Sequence, residues 1–306
     1  MSAPRAVVFA YHDVGVRCLK TLLSAGVQVP LVVTVRDDPN ESRWFASVAD
    51  TARDYGLPVV TPEEVNTPQL LEQVARCEPD FLFSFYYRSM LGEALLECAR
   101  RGALNIHGSL LPKYRGRAPV NWAILSGERE TGATLHYMVA RADAGDIVDQ
   151  LAVPILADDD AREVFAKVTA AAEIVLARSL PALLAGNAPR RPQRLEPGQY
   201  FGRRGPEDGR IDWRWPAARV HNLVRAVAPP FPGAFTESGA RRLWIHRTRV
   251  EAGAGGGPPR LFAEQGVCYA KCGEGVLRIL AAADETGPVD LAKAAREWQA
   301  RPVPLV

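Results

Sequence analysis

Along the first half of the chain, short apolar runs alternate with stretches in which apolar side chains recur every three or four positions. Ala6–Ala10, Leu31–Val35, Pro58–Val60 and Phe81–Phe85 are near-continuous apolar runs, the pattern of strands buried on both faces of a sheet. Between them, Val14–Ala25 sets Val16, Leu19, Leu22 and Leu23 on one helical face, a second helix begins near Ser42, and Leu70–Arg76 gives a third. Strand and helix in alternation predict an α/β fold: a Rossmann-like, doubly wound, mainly parallel sheet with helices on both faces. Ligands of such sheets bind beyond the carboxyl ends of the strands. A short strand, Ala103–Leu104, delivers Asn105 and His107 to that place.

From Thr131 the period changes. Gly132–Met138 and Ile147–Val153 alternate as strands do and form a hairpin across the Asp143 loop, and a long helix runs from Ala161 to Leu184. The polar, proline-bearing stretch Gly186–Pro192 reads as the start of a linker. Beyond Tyr200, strand candidates at Trp244–Thr248, Gly266–Lys271 and Gly275–Ala281, split by the Gly/Pro-rich Ala252–Pro259, predict a smaller β-barrel of OB-like type. The expected division is a catalytic domain over 1–190, a linker over 191–200 and an OB-like subdomain over 201–306, which suits a chain of 306 residues.

Composition narrows the chemistry. With 47% hydrophobic and 24% charged residues the chain has an ordinary globular make-up. Its 37 basic and 35 acidic side chains leave a net charge of +2, which gives no electrostatic ground for nucleic acid as the partner. Five scattered cysteines do not make a disulfide framework, and Cys268 and Cys272 have no second Cys or His pair nearby, so no metal is expected. The apolar run after Met1–Arg5 is too short for a signal-peptide core, and no stretch approaches the roughly 20 apolar residues that span a bilayer. A cytoplasmic protein without membrane insertion is the expectation. The first strand is followed by Ala10–Gly15 in place of GxGxxG, which argues against NAD or another dinucleotide.

The segment Asn105-Ile-His107-Gly-Ser-Leu-Leu-Pro-Lys-Tyr-Arg-Gly116, with Asp143 in the later loop, brings together an amide, an imidazole and a carboxylate. These groups can stabilise an oxyanion, move a proton and hold the proton carrier. Asn105 and His107 are separated by one residue and so share a face of extended chain. Gly108–Arg117 has neither helical nor strand period and carries three basic side chains; it reads as a loop ordered by what it binds, or else as a solvated connector.

The run Asn105–Pro119, with Ala142–Asp146, resembles the folate-dependent formyltransferases. Val7–Asp13, Phe83–Arg88, Phe201–Arg204 and Val224–Val227 resemble them too. Within that family the pattern is most similar to the formyltransferase half of bifunctional polymyxin-resistance proteins, which act on UDP-4-amino-4-deoxy-L-arabinose in lipid A modification. The resemblance implies the formyltransferase fold and 10-formyltetrahydrofolate as co-substrate. It also implies transfer of a formyl group to the 4-amine of a nucleotide-linked amino sugar. By position, Asn105 then donates to the oxyanion, His107 relays the proton and Asp143 orients His107. The folate contacts fall at Ser89, Met90, Leu91 and Arg117, and along Val139, Ala140, Arg141, Ala142 and Asp143. For the sugar nucleotide, Arg203, Arg204 and Arg225 can meet a diphosphate.

Other readings stay open. The bifunctional relatives continue into an NAD-dependent decarboxylase domain while this sequence stops at Val306; the expectation is a separate UDP-glucuronate decarboxylase, or a different dTDP- or UDP-amino sugar as acceptor. Methionyl-tRNA formyltransferase is the runner-up, against which the near-neutral charge speaks. Formyltetrahydrofolate deformylase would use the same three side chains with water as nucleophile, but carries an N-terminal module not seen in this sequence. A non-catalytic folate or nucleotide binder has no evident need for Asn105, His107 and Asp143 together. Oligomeric state is not readable.

Overall fold

The computed structural model describes residues 3–37, 43–196, 200–238, 241–252 and 257–305. The chain resolves into two compact units. One comprises Met1–Pro119, Glu130–Val153 and Ala166–Gly202; the other takes Val120–Arg129, Pro154–Phe165 and Arg203–Val306.

In the first unit, strands β1 (Arg5–Ala10), β2 (Gln28–Val33), β3 (Val59–Val60), β4 (Phe81–Phe85) and β5 (Gly102–His107) are parallel neighbours. With β7 (Glu130–Tyr137) and β8 (Ile147–Pro154) they form a sheet in the order β3-β2-β1-β4-β5-β7-β8, β7 running antiparallel to β5. A two-residue strand, β6 (Arg115–Gly116), lies outside this sheet and pairs with β9 (Tyr200–Phe201). Ala6–Ala10 are fully buried, and Phe81, Phe83 and Phe85 nearly so, each large side chain contributing about 1.5–3 kcal/mol. That is why these runs show no alternation.

The helices are α1 (His12–Ser24), α2 (Val48–Asp54), α3 (Pro68–Arg76), α4 (Glu93–Glu97), α5 (Pro119–Leu125) and α6 (Ala161–Ala185). The predicted start near Ser42 lies outside the described residues; α2 begins after Ser47, whose hydroxyl accepts from the Asp50 N–H at 3.1 Å. Thr67 caps α3 in the same way, with Pro68 in its first turn. α6 is long and apolar enough, by length and composition, to cross a membrane, which corrects the reading that no stretch approaches that size. Val168, Ala171, Val175, Leu176 and Leu180 on it are buried in the protein, and a core helix is apolar for that reason.

The second unit holds an antiparallel sheet in the order β10-β11-β14-β13-β12-β16, with β15 paired to β14. Its strands are β10 (Ala234–Ser238), β11 (Arg241–Glu251), β12 (Arg260–Glu264), β13 (Val267–Lys271), β14 (Val276–Asp284), β15 (Gly287–Pro288) and β16 (Val303–Pro304). The predicted strands at 244–248, 266–271 and 275–281 are β11, β13 and β14. Of the Gly/Pro-rich stretch, residues 253–256 lie outside the described residues. Helices α7 (Ala217–Ala226) and α8 (Leu291–Ala300) pack on the sheet, and Trp213, Val220, Ile245, Leu277 and Trp298 share its core. Cys268 and Cys272 are buried there, Cys268 Sγ donating to the Leu291 carbonyl at 3.3 Å.

Candidate active site

Asn105 and His107 lie on β5 itself, not beyond it as the short predicted strand implied. Pairing on both sides extends the strand: Asn105 stands opposite Ser84 of β4 and His136 of β7, and His107 opposite Thr134. Asp143 lies in the loop between β7 and β8. Its Oδ1 is 3.6 Å from His107 Nδ1 and 3.6 Å from His136 Nε2, while Oδ2 accepts the Gly116 N–H at 2.9 Å. Asn105 Nδ2 is 3.1 Å from His136 Nε2.

Main-chain carbonyls fix the tautomers. His107 Nε2 is 2.8 Å from the Tyr114 carbonyl and His136 Nδ1 is 2.8 Å from that of Tyr137. A carbonyl only accepts, so those nitrogens carry hydrogen. His136 Nε2 therefore receives the Asn105 amide, and His107 Nδ1 is the nitrogen facing the carboxylate. Burial alone would push the Asp143 carboxyl up. The positive charge that His107 and His136 take on when protonated, together with the Gly116 N–H, outweighs it and holds the carboxyl well below the usual carboxylate range.

The 108–117 loop is ordered by the protein's own groups, which corrects the expectation that a ligand orders it. Ser109 Oγ donates to the Lys113 carbonyl at 2.6 Å, Thr134 Oγ1 donates to the Ser109 carbonyl at 2.6 Å, and Leu111 N donates to Thr134 Oγ1 at 3.1 Å. Gln150 Nε2 adds bonds to the Leu111 carbonyl and Thr134 Oγ1, each 2.9 Å. Arg115 is buried, so the loop is not simply a solvated basic connector either; Lys113 and Arg117 are exposed. β6 within it is held by β9: the Arg117 N–H donates to the Phe201 carbonyl at 2.9 Å, and the Tyr114 and Phe201 rings lie 4.9 Å apart. Tyr114, Ala118 and Asp143 are all left-handed, with φ of 56°, 51° and 51°. Such backbone strain gathers where the surrounding structure holds a site in place.

Of the expected folate positions, Leu91 is buried in the core beside Val7 and Leu95, whereas Met90 and Val139 are large apolar side chains left 53% and 46% exposed. Asn66 grips the first group, Nδ2 donating to the Met90 carbonyl at 3.0 Å and Oδ1 accepting the Gly92 N–H at 2.7 Å. A cavity of about 370 Å³ is lined by Leu96, Ala103, Met138, Val139, Gly145 and Arg190, among others. Val139 is the expected folate residue that lines it; Ser89, Met90, Leu91 and Arg117 do not.

The three arginines proposed for a diphosphate differ. Arg203 is exposed. Arg204 lies over the Trp122 ring at 4.8 Å and donates to the Asp208 carbonyl at 2.9 Å. Arg225 is 7% exposed, its guanidinium bonded to Asn222 Oδ1 and to the Leu156 and Asp159 carbonyls. A guanidinium so enclosed is a structural cation, not an open phosphate ligand.

Sequence reasoning missed His136. His136 sits in the alternation of β7, where a polar residue reads as the wet face of a strand. Only the pairing with β5 brings it to Asn105.

A formyl transferase family model matches residues 7–180, and one described as the formyl transferase C-terminal domain matches residues 204–293. Among solved structures, an N-formyltransferase from Helicobacter canadensis, in complex with folinic acid and dTDP-3-aminofucose, aligns with a TM-score of 0.69 at 19% identity over 94% of this chain and 100% of that one. A sugar N-formyltransferase from a Shewanella species gives 0.63 at 18% identity over 79% and 96%. HypX from Aquifex aeolicus, in complex with tetrahydrofolic acid, gives 0.64 at 19% identity over 93% of this chain and 45% of that one. At these identities the likeness establishes a shared fold.

Proposed function

Because the chain belongs to the formyl transferase family, we propose that it moves a formyl group from 10-formyltetrahydrofolate to the amine of a nucleotide-linked amino sugar, with UDP-4-amino-4-deoxy-L-arabinose as the assigned acceptor. The observation that carries the reading is one carboxylate, Asp143, shared by His107 and His136 while His136 orients Asn105. The amine nitrogen forms a bond to the formyl carbon, the carbonyl pair moves onto oxygen, and the bond from carbon to the folate nitrogen then breaks.

Asn105 commits one amide N–H to His136 and thereby aims the other at the developing oxyanion, a contribution of about 10² to 10³ in rate. His107 Nδ1 takes the proton from the attacking nitrogen and passes it to the folate nitrogen that leaves, because its Nε2 hydrogen is already committed to the Tyr114 carbonyl. Asp143, held ionised, faces the imidazolium while the proton is in transit. The exposed apolar side chains of Met90 and Val139 belong to the folate site, together with Ser89, Leu91, Arg117 and the backbone of 139–143. Arg203 and Arg204 are assigned to the diphosphate. A cytoplasmic location goes with this reading.

The test offers UDP-4-amino-4-deoxy-L-arabinose, a dTDP-4-amino sugar and charged initiator tRNA in parallel with 10-formyltetrahydrofolate. Formylated UDP-sugar is the expected main product. Preference for the dTDP-sugar changes the nucleotide only, and preference for tRNA overturns the acceptor class.

A further inference from the structure

The segment after α6 reads as a connector, yet it is fastened to the loop that bears Asp143. Arg191 and Ile147 exchange two main-chain hydrogen bonds of 2.9 Å, an antiparallel bridge that carries the chain past the start of β8. Just beyond it, the Gln193 side chain turns to the same loop. Its Nε2 donates to the Asp143 carbonyl at 3.0 Å and to the Gly145 carbonyl at 2.7 Å. Carbonyl oxygens only accept, so the amide must face them with its NH2 group. Its own oxygen is buried with no partner among the described residues. The two carbonyls, not the needs of that oxygen, therefore set the orientation of the amide.

The loop so gripped has little freedom elsewhere. Asp143 is left-handed at φ 51°, and a Cβ on Gly145 would stand 2.0 Å from the Tyr137 carbonyl oxygen. No strand pairing covers Asp143 or Gly145. The Gln193 amide bonds the backbone on both sides of Ala144, and this backbone sets the direction in which the Asp143 carboxylate leaves the chain.

We propose that Gln193 is a positioning residue for formyl transfer, holding the Asp143 carboxylate at its distance from His107 and His136. The inference rests on the reading of His107 and Asp143 as the proton-handling pair. Gln193 makes and breaks no bond in the reaction. Its loss lets the carboxylate swing away from the two imidazoles and the Gly116 N–H, the groups that face it. Burial, which opposes ionisation, then prevails, and Asp143 takes up a proton at a higher pH.

Two variants of the full chain separate positioning from scaffolding: Gln193→Leu keeps the volume without the donor, and Gln193→Lys keeps a donor. In Gln193→Leu, kcat is expected to fall about tenfold to a hundredfold with the acceptor KM within about twofold of wild type. The acidic limb of the kcat profile moves to higher pH, and Gln193→Lys recovers part of the loss. Wild-type kcat and an unmoved limb in Gln193→Leu overturn the proposal. So does a loss confined to KM, or an equal loss in both variants. Nitrogen-15 spectra of the histidine side chains give a readout that needs no acceptor: Gln193→Leu is expected to shift the His107 and His136 signals and leave those of His221 in place. If wild type formylates no amino sugar, the functional reading falls, and the spectra still decide the role of Gln193.

Discussion

His107 and His136 face Asp143 in the first unit, and His221 faces Asp158 in the second, so each unit buries imidazole beside a carboxylate. Burial does not tell them apart, at 6%, 2% and 7% exposure for the three rings. Saturation does. His221 Nδ1 is 2.9 Å from Thr248 Oγ1 and Nε2 is 3.0 Å from the Ala157 carbonyl, so both nitrogens have fixed neutral partners. Burial pushes its imidazole below the ordinary range; the Ala157 carbonyl pulls it up, Arg225 pushes it down and Asp158 pulls it up. Asp158 is half exposed and also binds Arg249 at 3.3 Å, whereas Asp143 is 14% exposed and serves both imidazoles with one oxygen. A polar cluster closed on itself holds a fold, and one that leaves an imidazole nitrogen facing a buried carboxylate and an amide N–H uncommitted can do chemistry.

The largest expected effect breaks this contrast if it fails. His107→Ala and Asn105→Ala should each lower turnover by about 10² to 10⁴ with little change in the urea midpoint. His221→Phe should do the reverse, keeping turnover within about twofold and losing about 1–3 kcal/mol of stability, because it strands the Thr248 hydroxyl and the Ala157 carbonyl. Steady-state kinetics and urea melts on the three variants check both halves. Near-normal turnover in His107→Ala, or a dead His221→Phe, removes the distinction.

How much of this was legible follows from what kind of contact each feature depends on. The parallel half of the fold is readable because burial on both faces leaves apolar runs such as Phe81–Phe85 with nothing polar to interrupt them. Asn105 and His107 are readable for the opposite reason, being polar residues at the end of such a run. Gln193 acts on main-chain carbonyls from a proline-bearing stretch, a contact with neither period nor motif. Arg225 looks like an available cation because helical spacing cannot say that Leu156 and Asp159 supply the acceptors around it. β10, β12 and α8 went unread, since short strands packed on one face and a single-turn cap such as Asp290 give weak patterns.

A smaller effect sharpens the comparison through two glycines. Gly116 has φ 100°, and a Cβ there would stand 2.3 Å from the Phe201 carbonyl oxygen; Gly266, in the β12–β13 turn, has φ 76° and open space around it. Both alanine substitutions incur left-handed strain, of about 1 kcal/mol or more. Only Gly116→Ala also displaces the β6–β9 pairing and the N–H that binds Asp143. Gly116→Ala is therefore expected to reduce kcat about tenfold or more, and Gly266→Ala to lower the melting midpoint with kcat unchanged. Equal kinetics in the two would show that the β6–β9 contact does not reach the site.

The smallest effect concerns a buried imidazole outside the proton path. His12 stacks on Phe45 at 4.0 Å and meets Trp44 edge-on at 4.6 Å. Burial, and then the charge of Arg88, push it down to about 3, with the Asp13 carboxylate 3.9 Å away. Its folded value lies below the unfolded one, so between pH 6.5 and 3 the unfolded chain binds a proton that the folded chain refuses. Stability must fall as pH falls through that window, by up to about 1.4 kcal/mol per pH unit from this one group. His12→Asn suits the left-handed φ of 67° and removes the titration. It is expected to start less stable than wild type at pH 7, having lost the ring contacts, and to close the gap steadily as the pH is lowered from 6.5 to 5. Urea melts across that range decide it, and parallel curves for the two proteins would mean that His12 takes up its proton without unfolding.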